Sequence, residues 1–393
     1  MHILIIPSEH FITETQPLAG IFQYHQSKAL INAGHQIGVI SVGYITPRYL
    51  FNKYNYKKEE KIDNINIERK YKQLYFPHRY IPFNFLKKGY VKMAEDLYKK
   101  YINKFGIPDI IHAHNFLYAG IIAKFLKNKY GINYIITEHS SSFVLDKISN
   151  KKIKLIQNVA ANASKVTAVS SSFNKILEKY TESSIDLLPN IVDDFFFQKD
   201  LKNKMSEDFT FLHIASLDKN KNQELLIKSF EKIAKINDKI HLNIAGAGNM
   251  RNILENLVKK IGIENQVSFL GLISQEKVRD EMMKSDCFVL TSNFETFGVV
   301  LIEALACGLP IISTKCGGPE DIVNYKNGIL IDVKNQVQLE NAMFMMYEKV
   351  KEYDKLKLRN DANENFGQEA FVKNIIKYYE LGKIINNKGV SSG

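Results

Sequence analysis

Two carboxylates, Glu295 and Glu303, stand with seven residues between them in the stretch 288–319, FVLTSNFETFGVVLIEALACGLPIISTKCGGP. The apolar run at 288–290 reads as a buried strand, 291–297 as a polar turn, and a helix opens at Gly298 and ends at Gly308. Amides at the start of a helix lack intrahelical acceptors and the macrodipole is positive there, so the Gly298 end suits an anion such as a phosphate. Glu295, just before the helix, is an acceptor for sugar hydroxyls. Glu303, one to two turns along it, is within reach of a vicinal diol such as a ribose. Together these residues suit a sugar joined to a nucleotide through a diphosphate.

Other candidates sit where apolar runs end. Lys221 lies in 215–223, ASLDKNKNQ, directly after a strand-like run. His139 lies in 137–140, TEHS, directly after a strand-like run. His112 and His114 follow another; as a metal pair they lack a third ligand, and loop packing or acceptor contact is the preferred reading. Gly246-Ala-Gly248 opens a helix after a strand, but the third glycine of a dinucleotide fingerprint is replaced by Arg251, so NAD binding is rejected.

Glu295-Thr-Phe-Gly298, then Glu303-Ala-Leu-Ala-Cys-Gly308-Leu-Pro310, then Gly317-Gly318, resembles the signature of the retaining glycosyltransferases of family 4, which have the GT-B fold. The resemblance implies that Glu295 contacts the donor sugar and Glu303 the ribose, with Phe297, Gly298 and Val299 at the donor phosphates. It implies a polar contact from His139 to the donor sugar or acceptor, and that Gly20, in the loop 17–20, faces the donor phosphate and acceptor. It also implies that Gly271, in 269–274, reads the base through its backbone, and that 216–221 is the phosphate loop. Two departures stand out: Ser216 occupies the position of the family's arginine, with Lys219 as a substitute, and Ala19-Gly20 replaces a pair of glycines.

The chain has 393 residues, 45% of them hydrophobic, which suits two α/β domains. Short apolar runs at 2–6, 36–42, 109–113, 133–137 and 165–169 alternate with helical patterns at 21–33 and 116–129. Runs at 210–215, 239–245, 267–270, 287–290 and 310–313 repeat the pattern. The expectation is two Rossmann-like doubly wound domains facing a central cleft: 1–196 for the acceptor, with 370–393 crossing back to it, and 197–369 for the nucleotide-sugar. A linker is expected at 195–208 and a disordered tail at 386–393. The segment 45–90 is expected to carry acceptor specificity. No apolar run reaches the roughly 20 residues of a membrane span. No secretory leader is evident, and Cys287, Cys307 and Cys316 lack metal-ligand spacing, as in a reduced cytosolic protein.

The net charge of +11 is concentrated: residues 51–100 hold 13 Lys and Arg against 6 Asp and Glu, interleaved with Tyr54, Tyr56, Tyr71, Tyr75, Phe76, Tyr80, Phe83 and Phe85. Such a segment suits peripheral contact with an anionic membrane on its inner, cytoplasmic face, whereas no nucleic-acid motif accompanies it. The expected enzyme transfers a hexosyl group from a nucleotide-sugar to a glycan or lipid-linked glycan, with retention, in surface polysaccharide or glycoconjugate synthesis. No cofactor and no metal are expected, since no Asp-x-Asp pair occurs. The alternatives are a catalytically weak accessory subunit and another GT-B enzyme, such as a nucleotide-sugar epimerase or a phosphorylase.

Overall fold

A computed structural model describes residues 1–13, 15–16, 19–47, 55–77, 80–146, 148–201 and 207–389. Pro17 and Leu18 of the predicted phosphate-facing loop, Tyr54, part of the predicted linker (202–206) and the end of the predicted tail (390–393) lie outside the described residues. The chain divides into two compact units, one of Met1–Val169, Phe173–Ile191 and the segment from Phe371 onward, the other of Ser170–Ser172 and Val192–Ala370.

In the first unit, β1 (His2–Ile6), β2 (Gln36–Ile45), β3 (Glu59–Ile62), β4 (Ile65–Gln73), β5 (Ile110–His114), β6 (Tyr134–Glu138), β7 (Lys165–Ala168) and β8 (Asp186–Leu187) form one sheet. Its order is β3-β4-β2-β1-β5-β6-β7-β8. Every pairing is parallel except that of β3 with β4. The central strands are buried along their length and largely apolar because helices cover both faces of a parallel sheet. They are flanked by α1 (Ile21–Asn32), α2 (Phe83–Phe105), α3 (Ile121–Tyr130), α4 (Asn150–Asn162) and α5 (Ser171–Thr181). Segment 45–90, unassigned from sequence, supplies the antiparallel edge hairpin and the start of α2. Asp63 and Asn64 turn that hairpin with φ of 45° and 66°, the left-handed pair that a two-residue turn requires.

Two expectations change here. The helix predicted over 116–129 begins only at Ile121, since Leu117 (φ −83°, ψ 140°) and Tyr118 (φ 62°, ψ −69°) leave helical geometry. The Phe116 amide donates to the Glu138 carboxylate at 2.8 Å. The tail predicted as disordered from 386 is helical to Gly389, as part of Gln368–Gly389.

That C-terminal helix belongs to the first unit's core, where Phe371, Ile375 and Tyr379 pack with Ile3, Ile110 and Ile135. Its Tyr379 hydroxyl also ends a buried chain of hydrogen bonds. Thr167 Oγ1 donates to the Ile136 carbonyl at 3.2 Å, so it accepts from Thr137 Oγ1 at 2.8 Å. Thr137 therefore accepts from His112 Nε2 at 2.7 Å, which leaves His112 Nδ1 to accept from Tyr379 at 2.8 Å. His112 is thus structural, and its neighbours set its tautomer.

In the second unit, β9 (Phe209–Ile214), β10 (Ile240–Ala245), β11 (Val267–Gly271), β12 (Cys287–Leu290), β13 (Ile311–Thr314) and β14 (Gly328–Ile331) form an all-parallel sheet. Its order is β11-β10-β9-β12-β13-β14. It is flanked by α6 (Gln223–Ala234), α7 (Arg251–Ile261), α8 (Gln275–Lys284), α9 (Val299–Ala306), α10 (Gln336–Lys349) and α11 (Lys355–Phe366). The winding reverses between β9 and β12. At such a point the loops beyond the C-terminal strand ends part to leave a ligand crevice. Gly246 and Gly248 serve packing: a Cβ on either would overlap the carbonyl of Ala215 or Leu217.

Replacing Tyr379 by Phe leaves His112 Nδ1 buried without its donor and is expected to cost about 1–3 kcal/mol in urea unfolding. An unchanged midpoint would show that the relay carries no stability.

Candidate active site

The loops after β9 and β12 are laced together at the reversal. Asp218 Oδ1 accepts from the amides of Asn220 (2.8 Å) and Lys221 (3.3 Å), a tight turn that ends with Asn222 at φ 50° as α6 begins. Asn220 Nδ2 donates to the Phe294 carbonyl at 3.1 Å, and its Oδ1 accepts from the Phe294 amide at 3.2 Å. Thr291 Oγ1 donates to the Lys221 carbonyl at 2.9 Å. Beneath them His213 Nδ1 donates to the Val289 carbonyl at 2.8 Å, so its Nε2 accepts from Gln223 Nε2 at 3.1 Å. Gln223 Nε2 also donates to the Ser216 carbonyl at 2.9 Å. Burial pushes His213 down to about 4, which keeps it neutral and the link intact at physiological pH.

This lacing brings Lys221 and Glu295 together. Lys221 Nζ lies 2.5 Å from Glu295 Oε1, and Ser292 Oγ donates to the same oxygen at 2.6 Å. The Glu295 backbone is held as firmly, its amide donating to the Cys316 carbonyl and its carbonyl accepting from the Gly318 amide, both at 2.9 Å. Gly318 must be glycine, because a Cβ there would overlap the Phe297 backbone. Ser216, exposed, donates its hydroxyl to Asp218 Oδ2 at 2.6 Å.

Gly298, at φ 100°, is the N-cap of α9, a left-handed conformation that glycine adopts without strain. Val299, the first residue of α9, is half-buried, and the first amides of a helix lack intrahelical acceptors. The Phe297 side chain is 2% exposed and sits edge-on to Phe366. Glu303 lies on α9, and burial, aided by the nearby Asp193 charge, raises its carboxyl to about 7. Gly271 ends β11 at φ 71°, and its carbonyl accepts from the Gly246 amide at 2.7 Å. Among the described residues no cluster of three or more His, Cys, Asp or Glu is placed to hold a metal ion.

In the first unit, Gly20 caps α1 at φ 65° and its amide donates to Glu9 Oε1 at 3.1 Å. His139 lies at the end of β6, stacked on His114 with Nε2 3.1 Å from His114 Nδ1. Desolvation lowers His139 to about 3 and takes His114 well below its ordinary value, so both are neutral imidazoles. Glu138 shapes the turn that presents His139, accepting from the amides of Phe116 (2.8 Å), His139 (2.9 Å) and Ser140 (2.8 Å). The sequence reading missed Glu138, Asn220, Gln223 and His213. Only Glu138 left a sign, a charged residue at the end of an otherwise apolar strand.

Two family models match the chain: Glycosyltransferase Family 4 over residues 19–194 and Glycosyl transferases group 1 over residues 194–365. Together they run through both units, and the chain belongs to the glycosyltransferase family that they describe, with the GT-B fold. An uncharacterized glycosyltransferase of Methanocaldococcus jannaschii is 25% identical, over 90% of this chain and 92% of that protein. The phosphatidylinositol N-acetylglucosaminyltransferase GPI3 subunit of Saccharomyces cerevisiae is 26% identical, over 77% of this chain and 66% of that one. The solved structure of Anabaena Alr3699/HepE in complex with UDP and glucose shares the fold, with a TM-score of 0.69 at 18% identity, over 97% of this chain and 99% of that one.

The raised carboxyl of Glu303 sets a pH test. Its native pKa of about 7 exceeds the ordinary 4.5, so the folded chain keeps a proton that the unfolded chain loses. The stability tied to that proton is complete below 4.5 and is lost as pH rises through about 7. Glu303→Gln is therefore expected to gain stability relative to wild type between about pH 5 and pH 8, by at most about 3 kcal/mol. A difference that stays flat over this range in thermal melts would contradict it.

Proposed function

We propose that this protein transfers a hexosyl group from a nucleotide-sugar to a glycan or lipid-linked glycan acceptor, with retention of configuration, in surface polysaccharide or glycoconjugate synthesis. The observation that carries the reading is the Lys221–Glu295 pair between the loops after β9 and β12 at the winding reversal of the second unit, followed directly along the chain by α9, which starts after Gly298 and carries Glu303. Lys221 and the α9 amides bind the diphosphate, Glu303 the ribose hydroxyls and Glu295 the sugar hydroxyls. The name of the yeast relative supports a lipid-borne acceptor, and the UDP and glucose of the Anabaena structure support a nucleotide-sugar donor.

In the proposed step the bond from the anomeric carbon to the phosphate oxygen breaks, and its electron pair leaves with the nucleoside diphosphate. The acceptor hydroxyl oxygen bonds to that carbon on the same face and passes its proton to the departing phosphate oxygen. Charge on the leaving group is met by Lys221 and the oriented amides of α9, so turnover needs no divalent cation. Neutral His139 supplies a hydrogen bond and no charge. Ser216 favours a second reading, a catalytically weak accessory subunit, because its hydroxyl is engaged by Asp218 where the resemblance places an arginine.

In excess EDTA, one class among UDP-, GDP- and ADP-sugars is expected to raise the melting temperature. About 100 Kd of ligand adds roughly 2.7 kcal/mol, and Glu303→Gln should shrink the shift. Turnover that EDTA abolishes and magnesium or manganese restores would sink the metal-free reading. No shift with any donor would favour the accessory reading.

A further inference from the structure

The buried face of α2 comprises Leu86, Met93, Ala94, Leu97, Tyr98 and Tyr101. The start of this helix and the turn before it do the opposite. Tyr75, Phe76, Tyr80 and Phe85 are 75%, 69%, 66% and 64% exposed. Among the described residues the other large aromatic side chain so exposed is Tyr325, in the second unit. Single exposed apolar residues need no explanation, but four aromatics within 75–85 form a patch that water covers poorly.

Positive charge continues the patch. Phe85, Lys88 and Lys92 are all exposed, and their spacing of three and seven positions places them on one face of α2. Alongside runs a groove of about 710 Å³ lined by Lys87, Lys88, Lys92, Val91, Phe125 and Leu155, among others. Its two acids are already engaged. Glu95 pairs with Lys99 (3.2 Å) and Lys129 (2.6 Å), hydrogen bonds that pull its carboxyl down to about 2, and Asp96 pairs with Lys70 at 2.6 Å. Among the described residues no acidic side chain pairs with Lys87, Lys88 or Lys92.

We infer that this face of the first unit docks on an anionic lipid bilayer, with the rings of Tyr75, Phe76, Tyr80 and Phe85 at the headgroup boundary and Lys87, Lys88 and Lys92 against lipid phosphates. Aromatic rings settle at that depth, and lysine stems lie along apolar surface while their ammonium groups reach the headgroups. A protein partner fits less well, because lysine is depleted and arginine enriched at protein interfaces. Docking is peripheral: among the described residues no helix is long and apolar enough to cross a membrane. The inference stands apart from the donor site, so either can fail alone.

The test is co-sedimentation of the full chain with vesicles of phosphatidylcholine, alone or mixed with phosphatidylglycerol. Wild type is expected to bind the mixed vesicles alone. Lys87→Gln/Lys88→Gln/Lys92→Gln should weaken partitioning about 100-fold, and Tyr75→Ser/Phe76→Ser/Phe85→Ser at least about tenfold. Unchanged nucleotide-sugar thermal shifts in both variants would establish that they are folded. Failure of wild type to bind the mixed vesicles, equal binding to both kinds, or binding that survives the aromatic substitutions would overturn the inference. So would a concentration-dependent dimer in sedimentation velocity that the same substitutions abolish, since a second copy would then cover the patch.

Discussion

The second unit turns on a half-sheltered ion pair. Lys221 and Glu295 lie 74 positions apart, and their side chains are 21% and 14% exposed. In such a place removal of one partner leaves the other poorly solvated. The pair meets because β9 and β12 are neighbours at the winding reversal and because the side chains of Asn220, Thr291 and Asn293 tie the two loops together by donating to backbone carbonyls. The glycine pair at 317–318 then lets a second segment close against residues 295–297.

The first unit uses buried polarity differently. Its hydrogen-bond chain from Tyr379 to the Ile136 carbonyl fixes His112 in one tautomer, and the adjacent His114 and His139 are stacked and neutral. Desolvation dominates each histidine, so this end of β5 and β6 presents imidazoles as fixed hydrogen-bonding groups. Glu138 faces the same desolvation, which raises it to about 7 against three amide donors that pull the other way. The C-terminal helix contributes Tyr379, so residues at the far end of the chain help to set the polarity of the first unit.

Much of this was legible in the residues. Parallel strands buried on both faces are apolar runs whatever their neighbours, so β1, β5, β6, β9, β10 and β12 could be read directly. The hairpin of β3 and β4 escaped because one face of an edge strand is solvated and here carries lysines and glutamates; its Asp63-Asn64 turn was the available sign. Helical periodicity over 116–129 was misleading at its start, because the apolar spacing continues through Leu117 and Tyr118, where the backbone leaves helical geometry. The string from Glu295 to Gly318 was recognisable as a string. That Lys221 touches Glu295, that Phe297 faces Phe366, and that Gln223 and His213 brace the loop at 216–221 are facts of tertiary contact that local pattern does not encode.

If Lys221 is shared between Glu295 and a donor diphosphate, neutralising Glu295 must affect two ligands in opposite directions. Isothermal titration of Glu295→Gln against a nucleoside diphosphate and its nucleotide-sugar is the most direct test. The account predicts tighter binding of the bare diphosphate, because Lys221 is released, and weaker binding of the nucleotide-sugar, because an acceptor for the sugar hydroxyls is lost. Equal weakening of both ligands, or no change in either, would contradict it.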